Sequence, residues 1–253
     1  MERFSYELEK VRSAILKPLI LFLIVSLALL VLSVGEITIG DLHIYIPVLG
    51  TPTLATEIFL SVKSYLLPHD VLLVALGPVS VFVAPMIMAF LISLLVTFPY
   101  LLYSIETFLR PALYPKERTV IYRFVLPSII LFYLGSAFGY FFIIPKTFSI
   151  LYSFAAPIGV TPFFSLDSFV SSVFLLTMSV GAMFLLPVLM IILTRLSIIP
   201  YDRWLKHWRG AILTSLIFCA AITPDGSGIT AVFLFIPLMV LYGIGAILSK
   251  KSS

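Results

Sequence analysis

An all-α membrane protein of six transmembrane helices in a curved array, with both termini cytoplasmic, is the fold class this sequence predicts. Three observations predict it. Hydrophobic residues make up 61% of the 253-residue chain and charged residues 11%, against about 25% charge in a soluble domain. Charge-free runs of bilayer length recur along the chain, a span needing roughly 20 apolar residues. The cations cluster in the segments between those runs, and they cluster on alternate ones.

The first run covers residues 18–35; the segment before it, 1–17, reads as a charged amphipathic helix on the cytosolic side. The run is too long for the core of a cleaved signal peptide, and no small-residue cleavage site follows it. It is helix 1. Residues 36–79 form an extracytoplasmic loop. Ile37, Ile39, His43, Tyr45 and Pro47 suggest short extended pieces there, and Leu54, Ile58, Leu60 and Val62 mark a helix over 54–67 lying on the membrane surface and ended by Pro68. Helix 2 is expected over 80–104, with Pro85 and Pro99 inside it, since neighbouring helices can satisfy the carbonyls a proline frees. Helix 3 covers 124–145 and carries Gly135 and Gly139, a small-residue face that lets another helix approach. Residues 147–166 are charge-free but broken by Pro157, Gly159 and Pro162, and read as a surface loop. Helix 4 covers 168–194. The run 210–224 has 15 residues, about 22 Å at 1.5 Å per residue against roughly 30 Å of hydrocarbon. The turn at Thr223-Pro224-Asp225-Gly226 follows, and then 226–249. Helices 5 and 6 are therefore expected to form a short hairpin. The whole of 1–253 reads as a single transmembrane domain.

Orientation follows the lysines and arginines. On one side lie Arg3, Lys10, Arg12 and Lys17, then Arg110, Lys116, Arg118 and Arg123, then Arg195, Arg203, Lys206 and Arg209, then Lys250 and Lys251. Lys63 and Lys146 alone fall on the other. The positive-inside rule puts the populous side, with both termini, in the cytosol.

The chemistry absent from the sequence narrows the function. No phosphate-binding GxxxxGK[ST] loop is present. No ionisable residue falls in the middle of an expected span, where ion-coupled transporters usually keep one. His43, His69 and His207 sit in loops or at interfaces without metal-ligand spacing, and Cys219 stands alone. Gly226-Ser227-Gly228 lacks the GxSxG frame of a nucleophile and reads as a turn. Trp204 and Trp208, beside basic residues, suit an interfacial belt. The expectation is a protein that recognises rather than catalyses: no enzyme, no cofactor, no metal, no nucleic acid. A small-molecule permease is the alternative, but it calls for a polar midplane site that the sequence does not supply.

One segment stands out: Pro111-Ala112-Leu113-Tyr114-Pro115-Lys116-Glu117-Arg118, a charged, proline-broken piece read as a cytosolic loop between helices 2 and 3. With Pro99, Tyr103 and Phe108 before it, it is similar to the motif of the TatC family, the polytopic signal-receptor subunit of the twin-arginine protein translocase. Other pieces match in order: Phe132, Leu134, Gly135, Phe138, Tyr140, Phe141 and Pro145; Ser165 and Asp167; Gly181, Phe184 and Pro187; Thr223, Pro224 and Asp225; Pro237 and Tyr242. The resemblance covers roughly residues 76–248, and its specific element is the PALYxxE block.

The resemblance implies a protein of the cytoplasmic membrane that binds signal peptides carrying paired arginines. It implies single-span TatA/TatB-type partners, surrounding lipid, homo-oligomers within the complex, and folded cargo driven across by the proton-motive force. It places signal binding at Glu117, with Pro111, Leu113 and Tyr114 around it and Arg12 on the N-terminal helix. Guanidiniums favour carboxylates that accept forked hydrogen bonds, and an exposed pair contributes only about 0–1 kcal/mol, so a second carboxylate and a groove for the apolar part of the signal are expected. The family's N-terminal motif resembles His-Leu-x-Glu-Leu-Arg; here the aligned glutamate position is Lys10, leaving Glu9, or Glu7, as its substitute. Partner-binding or structural roles fall on Pro99, Tyr103, Phe184, Leu185, Pro187, Asp225 and Tyr242. The family's buried glutamate on helix 4 corresponds to Leu185, and its last-helix glutamate to Gly243.

Overall fold

The computed structural model describes residues 2–39, 42–67, 72–109, 114–153, 163–223 and 228–252. The described chain is mostly helical. Five stretches are long and apolar enough to cross a bilayer: Ala14–Val31, Ser80–Phe108, Arg118–Leu151, Leu166–Arg195 and Thr230–Lys250. Trp208–Ile222 is a shorter apolar helix of 15 residues.

By packing the chain divides into two units, with α3 and α6 contributing to both. The first comprises residues 1–101 and 159–174. Its α1, Glu2–Val31, is one continuous helix through Pro18. The chain then turns into an antiparallel pair, β1 (Leu32–Ile39) against β2 (Leu42–Leu49), with Leu32 opposite Leu49 and Ile39 opposite Leu42. The extended pieces expected around Ile37, Ile39, His43, Tyr45 and Pro47 are thus a hairpin. Next comes α2, Leu54–Leu66, capped by the Thr53 hydroxyl, which accepts the Thr56 N–H at 3.4 Å. Ala55, Val62 and Leu66 form its buried stripe, the i, i+7, i+11 spacing of one helical face. A short parallel pair, β3 (Leu72–Val74) on β4 (Phe163–Ser165), precedes α3, Ser80–Leu109. Met88, Phe169, Val170 and Val173 are wholly buried here, and Phe59 meets Phe169 edge-on. At the start of α3 the Ser80 hydroxyl donates to Asp167 Oδ2 at 2.5 Å.

The second unit holds residues 102–158 and 175–253. α4, Pro115–Phe138, continues through a π-turn at Gly139–Ile143 into α5, Ile144–Ser153. α6, Leu166–Phe184, is interrupted at Leu185 before α7, Leu186–Arg195. Then follow α8 (Tyr201–Lys206), α9 (Trp208–Ile222) and α10 (Ile229–Ser252). α7 packs chiefly on α10, and α10 on α9.

Three expectations are corrected. Helix 3 does not exit at Pro145, because the Gly139 carbonyl takes the N–H of Ile144 in a wide turn that makes room for the proline ring. The helix then runs on to Ser153, so at least 147–153 of the expected surface loop is helical; Pro157, Gly159 and Pro162 lie outside the described residues. Helix 6 is not short: α10 has 24 residues, about 36 Å at 1.5 Å each, with Pro237 accommodated inside. Helix 4 is two helices: Pro187 has no N–H for the Met183 carbonyl, and Leu185 instead donates to Ala182.

Between apolar helices in lipid, association rests on close packing and hydrogen bonds rather than on exclusion of water. Here the close approach is made by glycines. A Cβ at Gly135 would lie 2.6 Å from Phe184 Cγ, and one at Gly139 3.1 Å from Val180 Cβ. Gly181 in turn sits against Phe132 and Ser136. Gly135→Val should therefore destabilise the protein by about 1–3 kcal/mol through overpacking, read as a lower melting temperature in detergent. Gly243→Ala, whose Cβ meets nothing within 4 Å, should leave it unchanged or slightly raised.

Candidate functional site

The segment expected to be a loop is partly helix. Pro115 opens α4, its fixed φ suiting the first helical position and its missing N–H costing nothing there. The Arg118 N–H closes the first turn onto the Tyr114 carbonyl at 3.1 Å. Glu117 is thus the third residue of a helix, in the turn where free N–H groups and the macrodipole favour a carboxylate. Tyr114, just before it, is 77% exposed. Pro111 and Leu113 lie outside the described residues.

Four residues beyond Glu117 comes Ile121, then Phe124, Val125 and Ser128, positions that share one helical face. This face lines a cavity of about 270 Å³ within the second unit. Leu102, Ile105 and Glu106 of α3 line it too, as do Leu185 at the α6–α7 break and Val188, Leu189 and Ile192 of α7. The walls are apolar except for Ser128 and Glu106. The Ser128 hydroxyl is committed to the Phe124 carbonyl at 2.7 Å, which leaves Glu106, only 2% exposed, as the ionisable side chain of the cavity. The Arg195 guanidinium lies 5.3 Å from the centre of the Phe124 ring, a cation–π distance.

The sequence reading overlooked Glu106. It ended helix 2 at about residue 104, short of Glu106, whereas α3 runs on to Leu109. The available signal was spacing: Leu102, Ile105 and Glu106 are i, i+3 and i+4, so a helix carried one turn further puts a carboxylate on an apolar face.

The other expected residues fall on both units. Phe184 packs on Gly135 and lies 5.8 Å from the Phe138 ring. Pro187 is buried and its Cα would be 3.0 Å from a Cβ at Gly245 of α10. The Tyr242 hydroxyl donates to the Trp204 carbonyl at 2.6 Å, and Trp204 Nε1 donates to the Thr194 hydroxyl at 3.0 Å. This chain of bonds ties α10, α8 and α7 together. Tyr103 is half exposed on α3, and Pro99 falls within the first unit. Glu7, Glu9 and Arg12 occupy positions on α1, also in the first unit. Asp225 lies outside the described residues.

The fold is that of a multi-pass helical membrane protein with an apolar cavity containing one carboxylate, and comparison with known proteins assigns its class. The family model described as Sec-independent protein translocase protein (TatC) matches residues 7–237. A TatC protein of Cenarchaeum symbiosum is 30% identical over 250 residues, covering 98% of this chain and 95% of that one. A TatC protein of Aquifex aeolicus is 32% identical over 196 residues, 76% of this chain and 78% of the relative. A crystal structure described as the twin-arginine translocase receptor TatC superposes with a TM-score of 0.77 at 26% identity, over 97% of this chain and 99% of that one. The chain belongs to the TatC family. It is thus a component of a Sec-independent protein translocase and not an enzyme.

Leu185 is half-buried and borders the cavity, so its side chain has room on one side. Leu185→Glu should accumulate in the membrane at close to the normal level, as seen by immunoblot of membrane fractions. Failure to insert would show a packed, dry surround at Leu185.

Proposed function

We propose that this chain is the signal receptor of a twin-arginine translocase in the cytoplasmic membrane, with six spans and both termini in the cytosol. In this reading α9 is the short fifth span and α10 the sixth. Support comes from the family, from the placement of lysines and arginines in the sequence, and from the crystal structure described as the twin-arginine translocase receptor. Single-span TatA/TatB-type subunits and further copies of the chain are its partners, and folded proteins bearing a twin-arginine signal are its cargo.

The observation that carries the reading is the position of Glu117. It stands in the first turn of α4, one turn before the helical face that lines the apolar cavity. A signal peptide presents two arginines followed by an apolar stretch, and this order matches a carboxylate followed by an apolar wall. Lys116 and Arg118 flank Glu117 at 100° steps around the helix. On α1, position 7 lies one turn before Lys10 on the same side, whereas position 9 is about 100° round from it. The helical register therefore favours Glu7 over Glu9 as the substitute for the family's N-terminal glutamate.

Glu117→Gln keeps the shape and removes the charge. It should weaken binding of a twin-arginine signal peptide to the purified full chain by about tenfold, the scale of one charge-assisted hydrogen bond, without changing the amount of protein in the membrane. Unchanged affinity in Glu117→Gln, Glu7→Gln and Glu9→Gln alike would overturn the receptor reading at these residues.

A further inference from the structure

We propose that the exposed side of α8 and the start of α9 form a binding site for an anionic phospholipid, its phosphate held by Arg203, Lys206 and Arg209. The inference goes beyond signal recognition, which uses other residues, and takes only its side of the membrane from the proposed topology. α8 is six residues long, yet it is fixed in place. Trp204, half-buried, donates from Nε1 to the Thr194 hydroxyl at 3.0 Å, and its carbonyl accepts the Tyr242 hydroxyl at 2.6 Å. His207 ends the helix by donating twice to the Arg203 carbonyl, from its backbone N–H and from Nδ1, each at 3.0 Å. The short helix is therefore a platform bonded to α7 and α10 rather than a loose connection.

The rest of this platform is cationic and apolar at once. Arg203, Leu205, Lys206, His207, Trp208 and Arg209 are all exposed, Leu205 by 52% and Trp208 by 49%. Arg203 and Lys206 are three residues apart, neighbours on one helical face. Arg203, Lys206 and Arg209 make no ion pair with a described residue, and the exposed Asp202 offsets one of their three charges. The Arg209 guanidinium lies 5.7 Å from the centre of the Trp208 ring, a cation–π distance, and its N–H groups bond to no described residue. A soluble anion would meet the cations but gain nothing from Leu205 and Trp208. A phospholipid uses both, its phosphate on the cations and its glycerol and first methylenes on the indole and the leucine. It is also the partner that the neighbouring span calls for. α9 rises directly from this segment, and its 15 residues reach about 22 Å against roughly 30 Å of hydrocarbon. Such a helix cannot meet both faces of the bilayer. A lipid bound at its first turn keeps that end at headgroup level, so that the thinning falls at the Ile222 end.

Trp204 and Trp208 are the only two tryptophans of the chain, so its tryptophan fluorescence reports on this segment alone. The test places the full chain in nanodiscs of phosphatidylcholine and titrates in a lipid brominated on its acyl chains, either phosphatidylglycerol or phosphatidylcholine. Quenching should favour the anionic lipid, by about fivefold in apparent affinity for each cation that the phosphate engages. Arg209→Gln should lose about fivefold of that preference. Arg203→Gln, Lys206→Gln and Arg209→Gln combined should abolish it and leave quenching by the zwitterionic lipid unchanged. Arg123→Gln with Lys250→Gln, which removes exposed cations elsewhere in the same unit, should leave the preference intact. Equal loss in that control would mean that diffuse charge attracts the lipid, and would overturn the proposal. Equal quenching by the two lipids in the unaltered protein, or a preference that survives the triple substitution, would also overturn it. Relief of quenching by inorganic phosphate, but not by sodium chloride at the same ionic strength, would assign the cluster to a free anion and overturn it too. Should the triple variant not fold, the three single substitutions carry the same test, and an unchanged preference in all of them would overturn the proposal. None of these readouts involves a signal peptide, so failure here leaves the receptor reading standing.

Discussion

The close approach of α4 to α6 and α7 is the constraint on which the second unit depends. Gly135, Gly139 and Gly181 remove the side chains that would hold these helices apart, and Phe184 and Val180 fill the space against the bare backbone. The helices run antiparallel, so the contact can be followed along them. Gly139 meets Val180, Gly135 meets Phe184, and further along Phe124 meets Arg195. Glycine-tight at one end, the pair is lined at the other by Ile121, Phe124 and Val125 facing Val188, Leu189 and Ile192. Bulky side chains stand in place of glycines there, and the cavity lies among them, with the C-terminal turns of α3 lining it too.

Apolar surroundings impose a second requirement, that every backbone group and hydroxyl find a partner within the protein. Several hydroxyls meet it locally. Thr97, Ser128, Thr147, Ser172, Thr194 and Ser249 each donate to the carbonyl four residues back, so hydroxyls occupy apolar helices at little cost. Prolines are accommodated the same way: Pro145 by the π-turn before it and Pro187 by the break at Leu185. That break has a consequence for the site, since it places Leu185 on the cavity and lets α7 take its own direction toward α10.

Much of this was legible in the sequence. The apolar runs gave the long helices, the extended pieces expected after helix 1 became a hairpin, and Gly135 and Gly139 marked a true close contact. Leu54, Ile58, Leu60 and Val62, with Pro68 as a stop, placed a helix over 54–67, and α2 runs Leu54–Leu66. What was not legible turned on proline and on helix ends. Pro145 reads as a stop in sequence, and only the π-turn, a tertiary accommodation, shows that it is not one. Pro115 reads as part of a loop, yet at a first helical position proline is compatible with the helix, which moves Glu117 from a loop onto α4. Glu106 was missed for the same reason in reverse. A charge near the end of an apolar run looks interfacial unless the helix is known to continue and its face to be covered.

The central claim is that an arginine-bearing apolar peptide lies along the face of α4 that begins at Glu117 and lines the cavity. Site-specific photocrosslinking tests it most directly. A photoreactive residue at Ile192, on the cavity wall, and another at Ile247, 69% exposed on α10, would each be offered a twin-arginine signal peptide and its twin-lysine counterpart. The account predicts a crosslink from position 192 to the apolar stretch of the twin-arginine peptide, little or none with the twin-lysine peptide, and none from position 247. Crosslinks at 247 and not at 192, or equal yields from the two peptides at 192, would contradict it.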